Sequence, residues 1–174
     1  VSIVGIDDIT EGQLCTVLAA REYFANNSGV LVASSDALVI GDMLPEIERV
    51  GDMLGGVISV MSLPGDQWSF AKADESGRVT EVAEKTRISD HASTGLYYFS
   101  SGNDLLRYAD EMILHNERTR GEFYVMPVYN KFIRDNAKVV ISGAKGMWDM
   151  GTPDAKRVFE NNIEIIKKQM NGPY

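Results

Sequence analysis

Short, unbroken apolar runs alternating with amphipathic stretches constrain this chain more than any other feature. Val30-Leu31-Val32-Ala33 is bounded by turn formers, a helical pattern follows over about residues 44–54, and Gly56-Val57-Ile58-Ser59-Val60-Met61 is again strand-like. A continuous run of this length fits a strand covered on both faces, and strand–helix–strand alternation predicts an α/β sheet with helical layers. The pattern changes between Gln67 and Phe99. Trp68-Ser69-Phe70-Ala71 and Val79-Thr80-Glu81-Val82 flank the turn Asp74-Glu75-Ser76-Gly77, which predicts a hairpin. Ala92 to Phe99 reads as a buried strand, Asn103 to about His115 as an amphipathic helix, and Val139-Val140-Ile141 as a last strand.

Helix boundaries are marked at both ends of the chain. Thr10-Glu11-Gly12-Gln13 has the spacing of a capping box, with Leu14, Val17, Leu18, Arg21 and Phe24 following at helical intervals. Thr152 before Pro153 predicts an N-cap and first helical position, opening a helix with Val158, Phe159, Ile163, Ile166 and Met170 on its apolar stripe. Val1-Ser2-Ile3-Val4-Gly5-Ile6 reads as an opening strand entered without a leader, as though cut inside a larger domain.

Composition narrows the function classes. With 44% apolar and 24% charged residues, 174 residues suit one globular domain. A net charge of −8 and a pI near 4.8 oppose a broad basic face for nucleic acid, but leave room for a small anionic ligand held by one or two cations. Cys15 is the sole cysteine, so neither a disulfide framework nor a cysteine–histidine zinc site is expected. No apolar run approaches the roughly 20 residues of a membrane span, and cytoplasm is the default expectation.

Two carboxylates stand where open α/β sheets place ligands. Asp36 follows the strand ending at Ala33, and Asp149 precedes the Met150-Gly151-Thr152-Pro153 turn. Together they have the hard oxygen ligands that Mg²⁺ requires, although each alone also fits a local turn hydrogen bond. Glu84-Lys85, after a strand, offers an acceptor for sugar hydroxyls and a compact cation for phosphate; a solvated surface pair is the plainer alternative. Gly95, inside a strand pattern, marks a bulge or a close approach by a ligand or another strand. Trp148 suits a core position or a sugar platform, and His91 and His115 read as structural or solvated.

The order of these pieces resembles a known family. A strand leading to Asp36 is followed by Glu84-Lys85, Ser93-Thr94-Gly95-Leu96-Tyr97, Gly121-Glu122-Phe123-Tyr124 and Trp148-Asp149-Met150-Gly151-Thr152-Pro153. From about Gly12 to the last helix this is similar to the sugar-1-phosphate nucleotidyltransferases, the glucose-1-phosphate thymidylyltransferases among them. The resemblance implies a three-layer α/β sandwich with a mostly parallel mixed sheet, of the nucleotide-diphospho-sugar transferase type and incomplete at its amino terminus. It makes residues 1–174 the carboxyl-terminal part of the catalytic domain. Asp36 and Asp149 would be the Mg²⁺ ligands and Lys85 would meet the sugar phosphate; Glu84, Gly95 and Glu122 would lie around the sugar, with Gly12 near the base. The implied reaction is attack of a sugar-1-phosphate oxygen on the α-phosphorus of a nucleoside triphosphate, releasing pyrophosphate, in sugar-nucleotide and polysaccharide biosynthesis.

The chain also departs from that pattern. The family's glycine-rich loop with its arginine and the Lys-Pro pair, which hold the triphosphate, have no counterpart in this sequence, and Ser35 precedes Asp36 where glycine is common. Weak or absent turnover by this chain alone is therefore expected. An uncovered sheet edge would favour a homo-oligomer. A nucleotide-sugar-dependent glycosyltransferase is the alternative enzyme, disfavoured because Asp36-Ala37-Leu38 lacks a second carboxylate. A non-catalytic ligand-binding or truncated module is the third reading.

Overall fold

The computed structural model describes residues 1–170. Two short helices, α1 (Gln13–Leu18) and α2 (Arg21–Phe24), lead into β1 (Val30–Ala33), β2 (Ala37–Ile40), α3 (Leu44–Val50) and β3 (Leu54–Met61). The hairpin β4 (Ser69–Ala73) and β5 (Val79–Glu84) is followed by β6 (Ala92–Phe99), α4 (Gly102–Leu114) and α5 (Tyr129–Arg134). The chain closes with β7 (Lys138–Gly143), β8 (Gly146–Asp149), α6 (Pro153–Asn161) and α7 (Ile163–Met170).

Side-chain alternation along β3 builds the layers. Ile58 and Val60 face one side, where they join Leu105, Tyr108, Ala109 and Met112 of α4 and Tyr129 and Phe132 of α5. Val57 faces the other, against Met43 and Val50 at the ends of α3. One strand thus feeds two cores, the arrangement that a continuous apolar run predicts. Phe99 stacks on Tyr129 with ring centroids 4.5 Å apart and planes 8° from parallel, a contact that adds about 1 kcal/mol to simple area burial.

The main sheet runs β5-β4-β6-β3-β7, with β1 also on β6. It is mixed and sandwiched between helices, as expected, yet among the described residues only β3 and β7 pair in parallel; β6 runs against β1, β3 and β4. A strand has two edges, and β3 occupies one edge of β6 along its length. On the other, β4 reaches Ala92 while β1 covers Leu96 to Phe99. Ser93, Thr94 and Gly95 lie in the gap between them. A bulge in the β3–β6 pairing, between Ile58 and Val60, falls opposite the same gap.

Several local expectations are corrected. Residues 1–6 form no strand, because no edge among the described residues pairs with them, and Val1, Ile3 and Val4 are exposed. The capping box does not form. Gly12 is the N-cap at φ 125°, and the Thr10 hydroxyl instead bonds the Gly12 carbonyl and the Thr16 hydroxyl. Gly12 is fixed by packing: a Cβ there would lie 2.5 Å from the Phe123 carbonyl oxygen.

The first predicted helix breaks into α1 and α2 at Ala19 and Ala20, and the last breaks at Asn162, whose side-chain Nδ2 donates to the Val158 carbonyl. Thr152 does cap α6, accepting from the Ala155 amide at 3.1 Å. Of the last helix's apolar stripe, Ile166 is buried while Val158, Ile163 and Met170 are exposed. No helix among the described residues is long and apolar enough to cross a membrane.

Candidate active site

The gap on β6 is the floor of a cleft of about 200 Å³ whose walls come from separate parts of the chain. Asp36, Asp149 and Lys85 all line it, as do Glu84 and Gly95. Pairing of β2 with β8 brings the two aspartates together. Ala37 lies opposite Asp149, and the Met150 amide donates to the Asp36 carbonyl at 2.7 Å. Both carboxylates border Gly151, where a Cβ would sit 3.0 Å from Asp36 Oδ2 and 3.2 Å from Asp149 Oδ1. Asp149 Oδ1 also accepts the Gly151 amide at 3.0 Å, which orients it. Two hard oxygen donors around one small space fit a divalent cation that keeps waters or phosphate oxygens in its other positions.

Lys85 is placed by the end of β5. Its backbone adopts φ 55°, in the left-handed region, and its amide bonds the Trp68 carbonyl at 3.0 Å. Its ammonium donates to the Gln67 carbonyl at 2.6 Å, pairs with Glu84 Oε1 at 3.2 Å and stands 5.4 Å from the centre of the Tyr124 ring. Such a side chain is pre-ordered, so little entropy remains to be lost when an anion binds. Glu84 lies deeper, with its side chain 2% exposed and its second oxygen taken by the Ser69 hydroxyl.

Gly95 is closely approached by a neighbouring segment of the chain. At φ 80° it lines the cleft, and a Cβ there would lie 2.7 Å from Ser34 Oγ on the chain leaving β1. Three other predicted residues stand elsewhere. Gly12 packs on Phe123; Glu122 stands outside the lining, and burial, followed by the nearby Glu122 carboxylate, pushes the Tyr124 pKa up. Trp148 faces away: Met147 and Asp149 line the cleft, and strand alternation turns the indole between them to the opposite side, where it donates to Gln169 at 3.1 Å. The aromatic residues that do line the cleft are Trp68, Tyr97 and Tyr124.

A second hollow, of about 400 Å³, shares Gln13, Ser34, Asp36, Gly95 and Tyr97 with the first and continues past Val32 and Val17. Away from both, Glu111, His115 and Glu117 gather closely enough to suggest a metal cluster. Lys131 pairs with both glutamates and Arg134 with Glu111, so this group is a charge network tying α4 to α5.

The same architecture occurs in solved structures. A nucleoside-diphosphate-sugar pyrophosphorylase from Vibrio cholerae superposes with a TM-score of 0.74 at 28% identity, covering 90% of this chain and 67% of that one. The fold is that of a sugar-nucleotide pyrophosphorylase. A Bacillus anthracis protein described as a glucose-1-phosphate thymidylyltransferase, solved with sucrose bound, shares this pyrophosphorylase fold with a TM-score of 0.70 at 16% identity, over 97% of this chain and 65% of that one. The chain therefore spans about two thirds of the length of each. No protein-family model and no curated protein matches the sequence.

Proposed function

We propose that residues 1–174 carry the sugar-phosphate and metal side of a sugar-1-phosphate nucleotidyltransferase site. The observation behind this reading is that Asp36, Asp149 and Lys85 line one cleft, with both carboxylates beside Gly151. Phosphoryl transfer of this kind depends on positioning and charge neutralisation, for which two carboxylates and an ordered cation suffice without a covalent nucleophile.

Lys85 binds the phosphate of the sugar-1-phosphate. Glu84 holds Lys85 in place, and Trp68 and Tyr124 bound the sugar. Asp36 and Asp149 would hold Mg²⁺, which would supply charge neutralisation of the phosphate oxygens; in the reaction the sugar-1-phosphate oxygen bonds the α-phosphorus and the bond to pyrophosphate breaks. The adjoining hollow shares Asp36 and Gln13 with the cleft and takes the nucleotide end of the ligand. Continuity between the two spaces favours a ligand with a sugar and a nucleotide joined through phosphate.

Calorimetry with sugar-1-phosphates and nucleotide sugars tests this reading. Binding that falls about tenfold or more in Lys85→Met, with a lower dependence on salt, is the expected result, since a charge-assisted phosphate contact is lost. Absence of binding by the parent chain to every member of the panel would refute it.

A further inference from the structure

Ser69 carries an unusual constraint on its hydroxyl. It stands opposite Glu84 in the β4–β5 ladder and lines the cleft, while donating to Glu84 Oε2. Glu84 pairs with Lys85 through its other oxygen, and Ser69 is the donor of the bond between Ser69 and Glu84. Elsewhere in the cleft, Ser93 Oγ accepts the Gly95 amide at 3.1 Å.

Proton accounting gives this contact one direction. A serine hydroxyl has one hydrogen and two acceptor lone pairs. Because the hydrogen of Ser69 is committed to Glu84, the oxygen of Ser69 can only accept from anything that enters the cleft it lines.

We infer that Ser69 determines ligand specificity as an obligate acceptor, selecting a sugar that presents a hydroxyl donor to it, with Glu84 acting from behind. This rests on the reading of the cleft as a sugar-phosphate site and adds to it the polarity of one contact. Glu84, enclosed and engaged through both oxygens, is then the anchor of the contact, and Ser69 makes it. A hydroxyl that can donate satisfies a free lone pair. A fluorine, which only accepts, cannot.

The test is a binding cycle between ligand and residue. Glucose-, galactose-, mannose- and N-acetylglucosamine-1-phosphate are titrated by calorimetry, followed by the monodeoxy and monofluoro analogues of the tightest binder. At one ring position, deletion and fluorination should each weaken binding to the parent about tenfold, the size of one hydrogen bond. That penalty should vanish in Ser69→Ala and in the near-isosteric Ser69→Cys, whose thiol is a poor acceptor, and it should persist in Ser69→Thr.

A fluoro analogue that binds as well as the hydroxyl sugar, or a deoxy penalty unchanged in both Ser69→Ala and Ser69→Cys, would overturn the inference while leaving the sugar-phosphate site intact. If the parent binds no sugar-1-phosphate, the underlying reading falls and the inference falls with it.

Discussion

Replacing Gly95 by alanine should separate two costs that the structure assigns to this position. Gly95 sits at φ 80°, where a side chain costs roughly 1–2 kcal/mol through backbone strain. An added Cβ would also press on Ser34 Oγ at 2.7 Å and Ser34 Cβ at 3.0 Å, and crowding of this kind costs about 1–3 kcal/mol. Gly121 supplies the control. Its φ is 86°, but nothing lies within 4 Å of the corresponding Cβ, so Gly121→Ala should show the backbone cost alone. In urea unfolding with matched slopes, Gly95→Ala should be less stable than Gly121→Ala by about 1–3 kcal/mol. The Ser34 amide donates to the Gly95 carbonyl, so relief of the clash must move the segment leading to Asp36 and weaken any ligand held there. Equal stability of the two variants would refute the close packing of Gly95 on Ser34.

Acid stability should depend on the network between α4 and α5. Hydrogen bonds from Arg134 and Lys131 hold the Glu111 carboxyl down at about 2, below its ordinary 4.5, so its contribution is present above pH 4.5 and is lost as pH falls towards 2. Thermal melts across that window should show a flatter acid limb in Arg134→Gln than in the parent, and parallel limbs would count against the network. Trp148→Phe should cost some stability through the lost bond to Gln169, yet leave sugar-phosphate affinity unchanged within about twofold, because the indole faces away from the cleft. A tenfold loss would return Trp148 to the site.

The sequence made much of this fold legible, and the exceptions have physical causes. β3, β6 and β7 were readable because each is an apolar run serving a core on its own account. β2 and β8 were not. Each has four residues and gains its ladder only from the other, across more than a hundred positions of chain, so neither leaves a strong local signal. α5 was hidden because its buried Tyr129 and Phe132 are modest helix formers that follow a proline turn. Asp36, Lys85 and Asp149 were found through the order of motifs, and folding brings all three to one cleft.

Ser69 and Trp68 escaped for a different reason. Extending the hairpin register from Ala73 opposite Val79 would set Ser69 against Ala83, but a bulge between Lys72 and Ala73 shifts the ladder by one and sets it against Glu84. A single irregularity of backbone thus decides which residue reaches the buried carboxylate. Trp148 was the converse case, since a residue adjacent to Asp149 on a strand cannot share its face.

The central claim is that Asp36 and Asp149 act as one metal-binding pair beside Lys85. Its most direct test is calorimetric titration of the chain with a nucleotide sugar, with and without Mg²⁺, in the parent and in Asp36→Asn and Asp149→Asn. Asparagine keeps an oxygen acceptor for the Gly151 amide but removes the charge, so the turn should survive while metal affinity is lost. The account predicts that Mg²⁺ strengthens binding to the parent at least tenfold and has no effect on either variant. Binding that is indifferent to Mg²⁺ in the parent, or equally enhanced in both variants, would contradict it.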